Sequence, residues 1–200
     1  MTRTTLSLAG SLATALLLVT APASQAAVTA KDAPKQEDIV TAFPELADGQ
    51  FSTEKVKTIG QPGKTCDAIV RVKVKSGSYT TGSSTTTVYP IVLTSAVEMK
   101  SEAKAKAYMA TYKKYAKKCT TYTEPTTSST VTVSKGKTFR FGDESLTVDT
   151  QSAFDTSTNY SSSVLTRDGK RLSTVIVVDD AAVPASSVKP LAKVAAKKLK

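Results

Sequence analysis

The chain has 200 residues, 40% hydrophobic and 22% charged, which supplies one apolar core and is short for two ordinary domains. Its formal charge is +10 and it contains no His, which excludes Ser-His-Asp and Cys-His nucleophilic sites and removes the commonest ligand of zinc and copper centres. Trp is absent and aromatics make up 6%, so Val, Ala, Leu, Ile and Tyr have to build the core.

The first residues read as a secretion signal. Arg3 gives a charged start, Leu6 to Val19 is an apolar run, and Ala21-Pro-Ala-Ser-Gln-Ala-Ala27 closes it with small residues, placing the cut near Ala26/Ala27. The apolar run is too short and too rich in small residues to span a membrane well. There is no twin Arg and no Cys near the cut to carry a lipid. The expectation is therefore a signal peptide at 1–26 and a protein secreted to the extracellular side without a transmembrane anchor. Loss of Arg3 leaves the net charge one unit lower, at +9.

Residues 27–34 read as a flexible leader, and 35–200 as one domain. Lys35 to Phe43 carries acids at its start and Ile39, Val40 and Phe43 at helical spacing, which predicts a short helix ending at Pro44. Leu46 to Gly63 reads as irregular. Cys66 to Val74 alternates small or apolar with polar positions and predicts a strand, Ser76 to Ser84 a loop, and Thr85 to Leu93 a strand made edge-like or bulged by Pro90. Ser95 with Glu98 forms a capping-box pattern, and the spacing predicts a helix over 95–118. On that helix Ala105, Tyr108, Tyr112, Tyr115 and Cys119 form one stripe, while most Lys residues lie off it.

Short alternating runs follow at 130–134, 138–141, 145–149 and 160–166. Asp168-Gly169 signals a hairpin between 163–167 and the apolar run 170–178, the expected central strand. Val188, Leu191, Ala195 and Leu199 share a face and predict a final helix over 184–200, with Ser187 as its cap and Pro190 in its first turn. The expected fold class is α+β, an antiparallel sheet of about six strands with helices packed on one face. Outside the cell an even pair of Cys reads as a disulfide, and Cys66 with Cys119 allows one connectivity.

With this order, the chain resembles the extracellular sensor domains of PknH-type serine/threonine kinases of actinobacteria and their stand-alone secreted or lipid-anchored relatives. The residues that carry the resemblance are Cys66, the segment from Ser95-Ala-Val through Ser101 and Ala103 to Tyr115 and Cys119, the hairpin Val164 to Val178, and the helix from Pro184. The resemblance implies a twisted antiparallel sheet with helices, a cleft that accepts a ligand, and no catalytic activity. It transfers no binding-site residue.

Tyr108, Tyr112 and Tyr115 are candidates for lining an apolar cleft, or for packing the helix on the sheet. Lys113, Lys114, Lys117 and Lys118, with Lys193, Lys197 and Lys198, are candidates for contact with an anionic surface, or for a solvated face. Asp143-Glu144 and Asp179-Asp180 read as solvated turn acids, with calcium binding or acid–base chemistry as the sharper alternative. The Ser/Thr-rich stretches 76–87 and 120–130 read as flexible polar loops, open to glycosylation in some hosts. No catalytic residue, metal site or cofactor is expected. The expected function is a secreted, non-catalytic ligand-binding domain at the cell envelope or in the medium. Its partner would be a small amphipathic or anionic ligand, an anionic envelope polymer or a lipid, not nucleic acid, and the expected state is a monomer. The alternatives are a basic wall-associated protein acting through its Lys faces and a hydrolase without His.

Overall fold

The computed structural model describes residues 27–200, so the secretion signal at 1–26 lies outside the described residues. The order of elements is α1 (Gln36–Ala42), a 3-10 turn (Pro44–Leu46), β1 (Gln50–Lys55), β2 (Thr58–Pro62), β3 (Ile69–Lys73), β4 (Ser76–Ser83), β5 (Ile91–Glu98), α2 (Glu102–Lys118), β6 (Thr121–Thr123), β7 (Thr130–Lys135), β8 (Glu144–Phe154), β9 (Ser157–Asp168), β10 (Arg171–Asp179) and α3 (Ala185–Lys198). Among the described residues eight strands form one sheet in the order β1-β4-β5-β10-β9-β8-β7-β6, and β2 pairs with β3 as a separate ribbon. Every strand pair is antiparallel. The sheet is thus larger than the six strands expected.

The run Val175-Ile-Val-Val178 does lie centrally, between β5 and β9. The β9–β10 turn is Gly169-Lys170, with Gly169 at φ 55° and Asp168 facing Arg171 across the closing pair. This lies one residue beyond the Asp168-Gly169 signal.

Helices cover both faces, not one. Successive side chains of a strand point to opposite faces. Val92, Val164, Val175 and Val177 meet Val188, Leu191 and Ala195 of α3 and Ile39 of α1 on one side. Val97, Leu146, Leu165 and Leu172 meet Ala105, Tyr108 and Met109 of α2 on the other, together with Ile59 and Val72 of the β2–β3 ribbon. Central strands with apolar residues at both parities gain from a cover on each face, because each cover takes side chains out of water. The second cover stops short. Arg171, Leu172 and Ser173 are all buried, whereas from Thr174 to Val178 burial alternates.

Other boundaries moved for identifiable reasons. The strand β5 runs to Glu98, so Ser95 and Glu98 are strand residues, and α2 starts at Glu102 with Ser101 as the cap, its hydroxyl accepting from Lys104 N–H (3.3 Å). Burial of Ala96, Val97 and Glu98 in the sheet overrides their helical pattern. Residues 76–83, expected as a loop, form β4. Its inward side chains are small and satisfied by hydrogen bonds: Ser78 Oγ donates to Glu54 O (3.1 Å), and Thr80 Oγ1 lies 3.0 Å from Thr53 Oγ1. At Gly82 a Cβ would stand 2.5 Å from the Phe51 ring, so only Gly lets that ring lie across the strand.

The stretch expected as irregular contains β1, mostly exposed at the sheet edge, and β2, partly buried, and neither carries an apolar alternation. Residues 85–90 form a loop with a cis Tyr89-Pro90 bond, and 138–141 is not a strand, although Phe139 and Phe141 stack at 5.5 Å. The final helix begins at Ala185 behind Pro184, so Pro190 lies inside it on its exposed side.

The leader is tied down, not free. Val28 and Ala33 are buried against Ala96 and Leu199. Val28 N–H donates to Ser76 Oγ (3.0 Å) and Thr94 Oγ1 to Pro34 O (3.2 Å). Beside them Glu98, fully buried, receives Lys170 Nζ at 2.7 Å, Lys75 Nζ at 3.1 Å and Ser76 Oγ at 3.4 Å. Arg171 donates to Leu199 O at the end of α3 (3.1 Å).

Cys66 and Cys119 are bonded across 53 residues, joining the β2–β3 turn to the end of α2. Closing a loop of this size stabilises by roughly 4 kcal/mol on the chain-entropy account. Replacing both Cys by Ala is expected to lower urea-unfolding stability by up to about that amount. Hydrogen exchange should then quicken first at residues 58–73 and the last turn of α2. Uniform quickening would contradict this local role.

Acid should act through Glu98. Burial alone would raise its pKa, but the hydrogen bonds from Lys170 and Lys75 outweigh it and hold the carboxyl below the usual range. A depressed folded pKa gives stability that is complete above the unfolded value, near 4.3, and is lost as pH falls through the folded one. Thermal midpoints are expected to fall below about pH 5. Glu98→Gln should cost about 1–3 kcal/mol at pH 7 and flatten that acid limb. An unchanged limb in Glu98→Gln would remove Glu98 from the account.

Candidate functional site

A pocket of about 530 Å3 opens where α2 crosses the ends of β7 and β8. Lys113, Ala116 and Lys117 line it from one face of α2, Lys135 from β7, Thr138 from the connection to β8, and Ser145 and Leu146 from β8. Beyond Lys135 the chain leaves the ladder, with Gly136 N–H making a last bond to Thr147 O (3.1 Å), so the start of β8 is left beside the helix. Leu146 and Ala116 make an apolar floor below three ammonium groups. Lys113 Nζ binds Glu144 Oε1 at 2.6 Å, whereas Lys117 and Lys135 make no ion pair among the described residues. The recess therefore carries surplus positive charge over apolar surface. The Ser145 hydroxyl in the same segment is buried without a hydrogen bond among the described residues.

Lys114 and Lys118 turn to the other flank of α2. With Lys64, Gly63 and Tyr115 they line a smaller recess of about 240 Å3 beside the disulfide. The four Lys of the α2 end are thus split between two hollows, as adjacent helix positions must be.

The tyrosine stripe does not line the pocket between α2 and β8, and of its three rings only Tyr115 borders a recess, the smaller one. Tyr108 and Tyr112 both direct their hydroxyls to Gly60 O of β2, at 2.8 and 3.3 Å, and their rings stand 5.1 Å apart. Tyr115 Oη lies 3.1 Å from Tyr122 Oη of β6, and its ring borders the smaller recess. Burial above all pushes the pKa of the Tyr108, Tyr112 and Tyr115 hydroxyls upward, so they stay neutral, and those of Tyr108 and Tyr112 donate to Gly60 O. The stripe clamps the ribbon and β6 to α2.

Lys193, Lys197 and Lys198 lie on α3, behind the opposite face of the sheet from α2. Lys198 Nζ is held by Asp38 Oδ2 at 3.0 Å. The two Lys-rich helices therefore present no common surface.

Asp143, which stays solvent-exposed in its turn, and Glu144, which is partly buried, are both engaged by a cation. They hold the guanidinium of Arg167, itself buried, at 2.9 and 3.1 Å, with Glu102 at 3.5 Å. Gly142, at φ 57°, brings the turn against Arg167 O, where any side chain would clash. Burial would raise the Glu144 pKa, but Lys113 and Arg167 together hold it below the usual range, so it stays ionised and anchors the pocket's first Lys. Asp179 and Asp180 sit at the far end of β10, beside a recess formed with 86–89 and 157–159. Burial and then the neighbouring Asp180 raise the Asp179 pKa, and its carboxylate accepts Asp180 N–H (2.8 Å). The stretch 120–130 is also ordered around Glu124. That carboxylate binds the Thr127 hydroxyl and the N–H groups of Thr126 and Thr127, and its pKa is drawn down to about 2 by those bonds, Thr127 first.

Lys113 and Lys117 were legible as candidates in the sequence. Lys135, Thr138 and Leu146 were not, because they reach the helix only through the β7–β8 pairing. The one sequence signal was the place of Lys135 at the end of an alternating run.

No protein-family model matches the chain, and no curated protein matches it significantly. Among solved structures it is similar to the extracellular domain of PknH from Mycobacterium tuberculosis, with a TM-score of 0.56 at 11% identity over 86% of this chain and 97% of that chain. At that identity the likeness is one of fold, and this protein shares the mixed α/β architecture of that extracellular domain.

Proposed function

We propose that this is a non-catalytic extracellular binding domain that takes an amphipathic anion, an alkyl or ring body with a phosphate, carboxylate or sulfate head, in the pocket between α2 and β8. The observation that carries the reading is the joining of an apolar floor, Leu146 and Ala116, to unpaired Lys117 and Lys135 in a recess of about 530 Å3. That volume lies within the usual range for small-molecule sites. Lys117 and Lys135 come from different elements, so an anion between them would be gripped from two sides. Lys113, already bound to Glu144, supplies field without giving up its partner. The shared fold with the extracellular domain of PknH and the export signal read at 1–26 support the extracellular setting.

The wall-polymer reading is weakened by the placement of the Lys-rich helices on opposite faces of the sheet. The hydrolase reading loses one acid pair, since Asp143 and Glu144 are engaged with Arg167.

The test is calorimetric titration with dodecyl phosphate below its micelle concentration, with dodecyltrimethylammonium as the matched cation. The phosphate is expected to bind at one site and the cation not. Lys117→Glu with Lys135→Glu should weaken phosphate binding by about tenfold or more, the scale of a lost charged hydrogen bond, while the melting temperature hardly moves. Equal binding of both amphiphiles, or an unchanged affinity in the double variant, would overturn the assignment.

A further inference from the structure

The face of the sheet that carries α2 is covered over only half its height. On β5 and β10 burial alternates below the helix layer: Val92, Thr94, Val175 and Val177 are buried beneath α3, while Ile91, Leu93, Ile176 and Val178 point the other way and are only partly buried. The register places Leu93 opposite Ile176 and Ile91 opposite Val178, so the four form one aliphatic block on the two central strands. Around it β4, β9 and β8 present hydroxyl and amide side chains, such as Thr81, Ser163 and Thr150. Phe154, 52% exposed, stands at the rim.

From β4 across to β8 this half-face holds no charged side chain, in a protein where 22% of residues are charged. A bare sheet face that only has to stay soluble draws on the same surplus of Lys as the helices do. This one does not.

We infer that the uncovered half-face is a self-association surface on which a second copy of this chain packs sheet against sheet. Charge selects the face. Two copies at a net charge near +10 repel each other wherever their Lys faces meet, and this is the broad surface on which neither brings a charge. An isologous contact needs a patch that complements itself, and aliphatic side chains ringed by hydroxyls, each donor and acceptor, do so.

Shape agrees with charge. The layer of α2 and the β2–β3 ribbon rises one layer above the sheet, about 10 Å, which is the spacing at which a second sheet stacks. The step therefore has the depth of one facing sheet. Five strands about 4.8 Å apart and six residues of about 3.4 Å each span roughly 24 by 20 Å, so a pair would bury about 1,000 Å2 in all. That falls just below the range of stable specific interfaces and fits a weak, concentration-dependent dimer in place of the monomer expected from sequence.

Sedimentation equilibrium of the exported protein, purified from culture medium, tests this over a wide concentration range at low and high salt. The weight-average mass is expected to climb toward twice the monomer, and to climb sooner at high salt, where the repulsion of net charge is screened. Ile176→Lys and Ser163→Lys should each weaken dimerisation at least tenfold. Ser163→Lys keeps every aliphatic side chain, so it separates charge from loss of packing. Lys193→Glu, on the opposite side of the sheet, should not weaken it. A monomer at every concentration, association that weakens with salt, or dimerisation undiminished in folded Ser163→Lys would each overturn the inference.

Discussion

The structure depends on one strand. Residues Arg171–Asp179 lie between β5 and β9, with apolar side chains of one parity under α3 and, at Leu172, of the other parity under α2. Where both parities are buried, at Arg171 to Ser173, the strand meets solvent on neither side, and the sheet there becomes the middle of three layers. The end of the chain supplies one cover directly, because α3 follows β10 and folds back on it. The other cover is assembled from pieces remote in sequence. The β2–β3 ribbon leaves the sheet between β1 and β4, and α2 runs from β5 toward β6. Neither would bury much alone. The bond between Cys66 and Cys119 and the two tyrosine hydroxyls on Gly60 make one layer of them.

That layer sets where charge can accumulate. Its residues facing the sheet are apolar, and its edges carry Lys in two hollows. Acids are drawn to the end of the sheet where α2 starts. There Glu98 gathers Lys75 and Lys170, and Arg167 gathers Asp143, Glu144 and Glu102. Glu144 links that network to the pocket through Lys113. Once these pairs are formed, much of the acid near α2 is already spent, and Lys117 and Lys135 line the pocket without an ion pair among the described residues. The surplus positive field of the site follows from where the acids went, as much as from the number of Lys.

The same layer, by stopping halfway, leaves a sheet face of a different kind. Above the step lie an apolar floor and cations. Below it lie aliphatic side chains and hydroxyls without charge. The two proposed binding surfaces therefore share one face of the sheet but differ in chemistry.

Much of the fold was legible from local pattern. The two long helices, the run at 170–178 as central strand and the Cys pair rest on periodicity and composition, and each is found near its expected place. The helix start slipped from Ser95 to Ser101, because the pairing of Ala96 and Val97 with β4 and β10 outweighs a capping pattern that an isolated peptide would obey. The strand Ser76–Ser83 was invisible for a related reason: Ser, Gly and Thr signal a loop, and become a strand only when partners satisfy their hydroxyls and fill the space above Gly82. The sequence by itself determined the antiparallel α+β class, the absence of His chemistry and the excess of Lys, since these depend on composition and short-range periodicity. Tertiary structure alone decided that helices cover both faces, that the tyrosines clamp a ribbon, and that Lys117 meets Lys135 over Leu146. Those depend on which strands pair and how far a helix reaches across them, contacts between residues that no local pattern brings together.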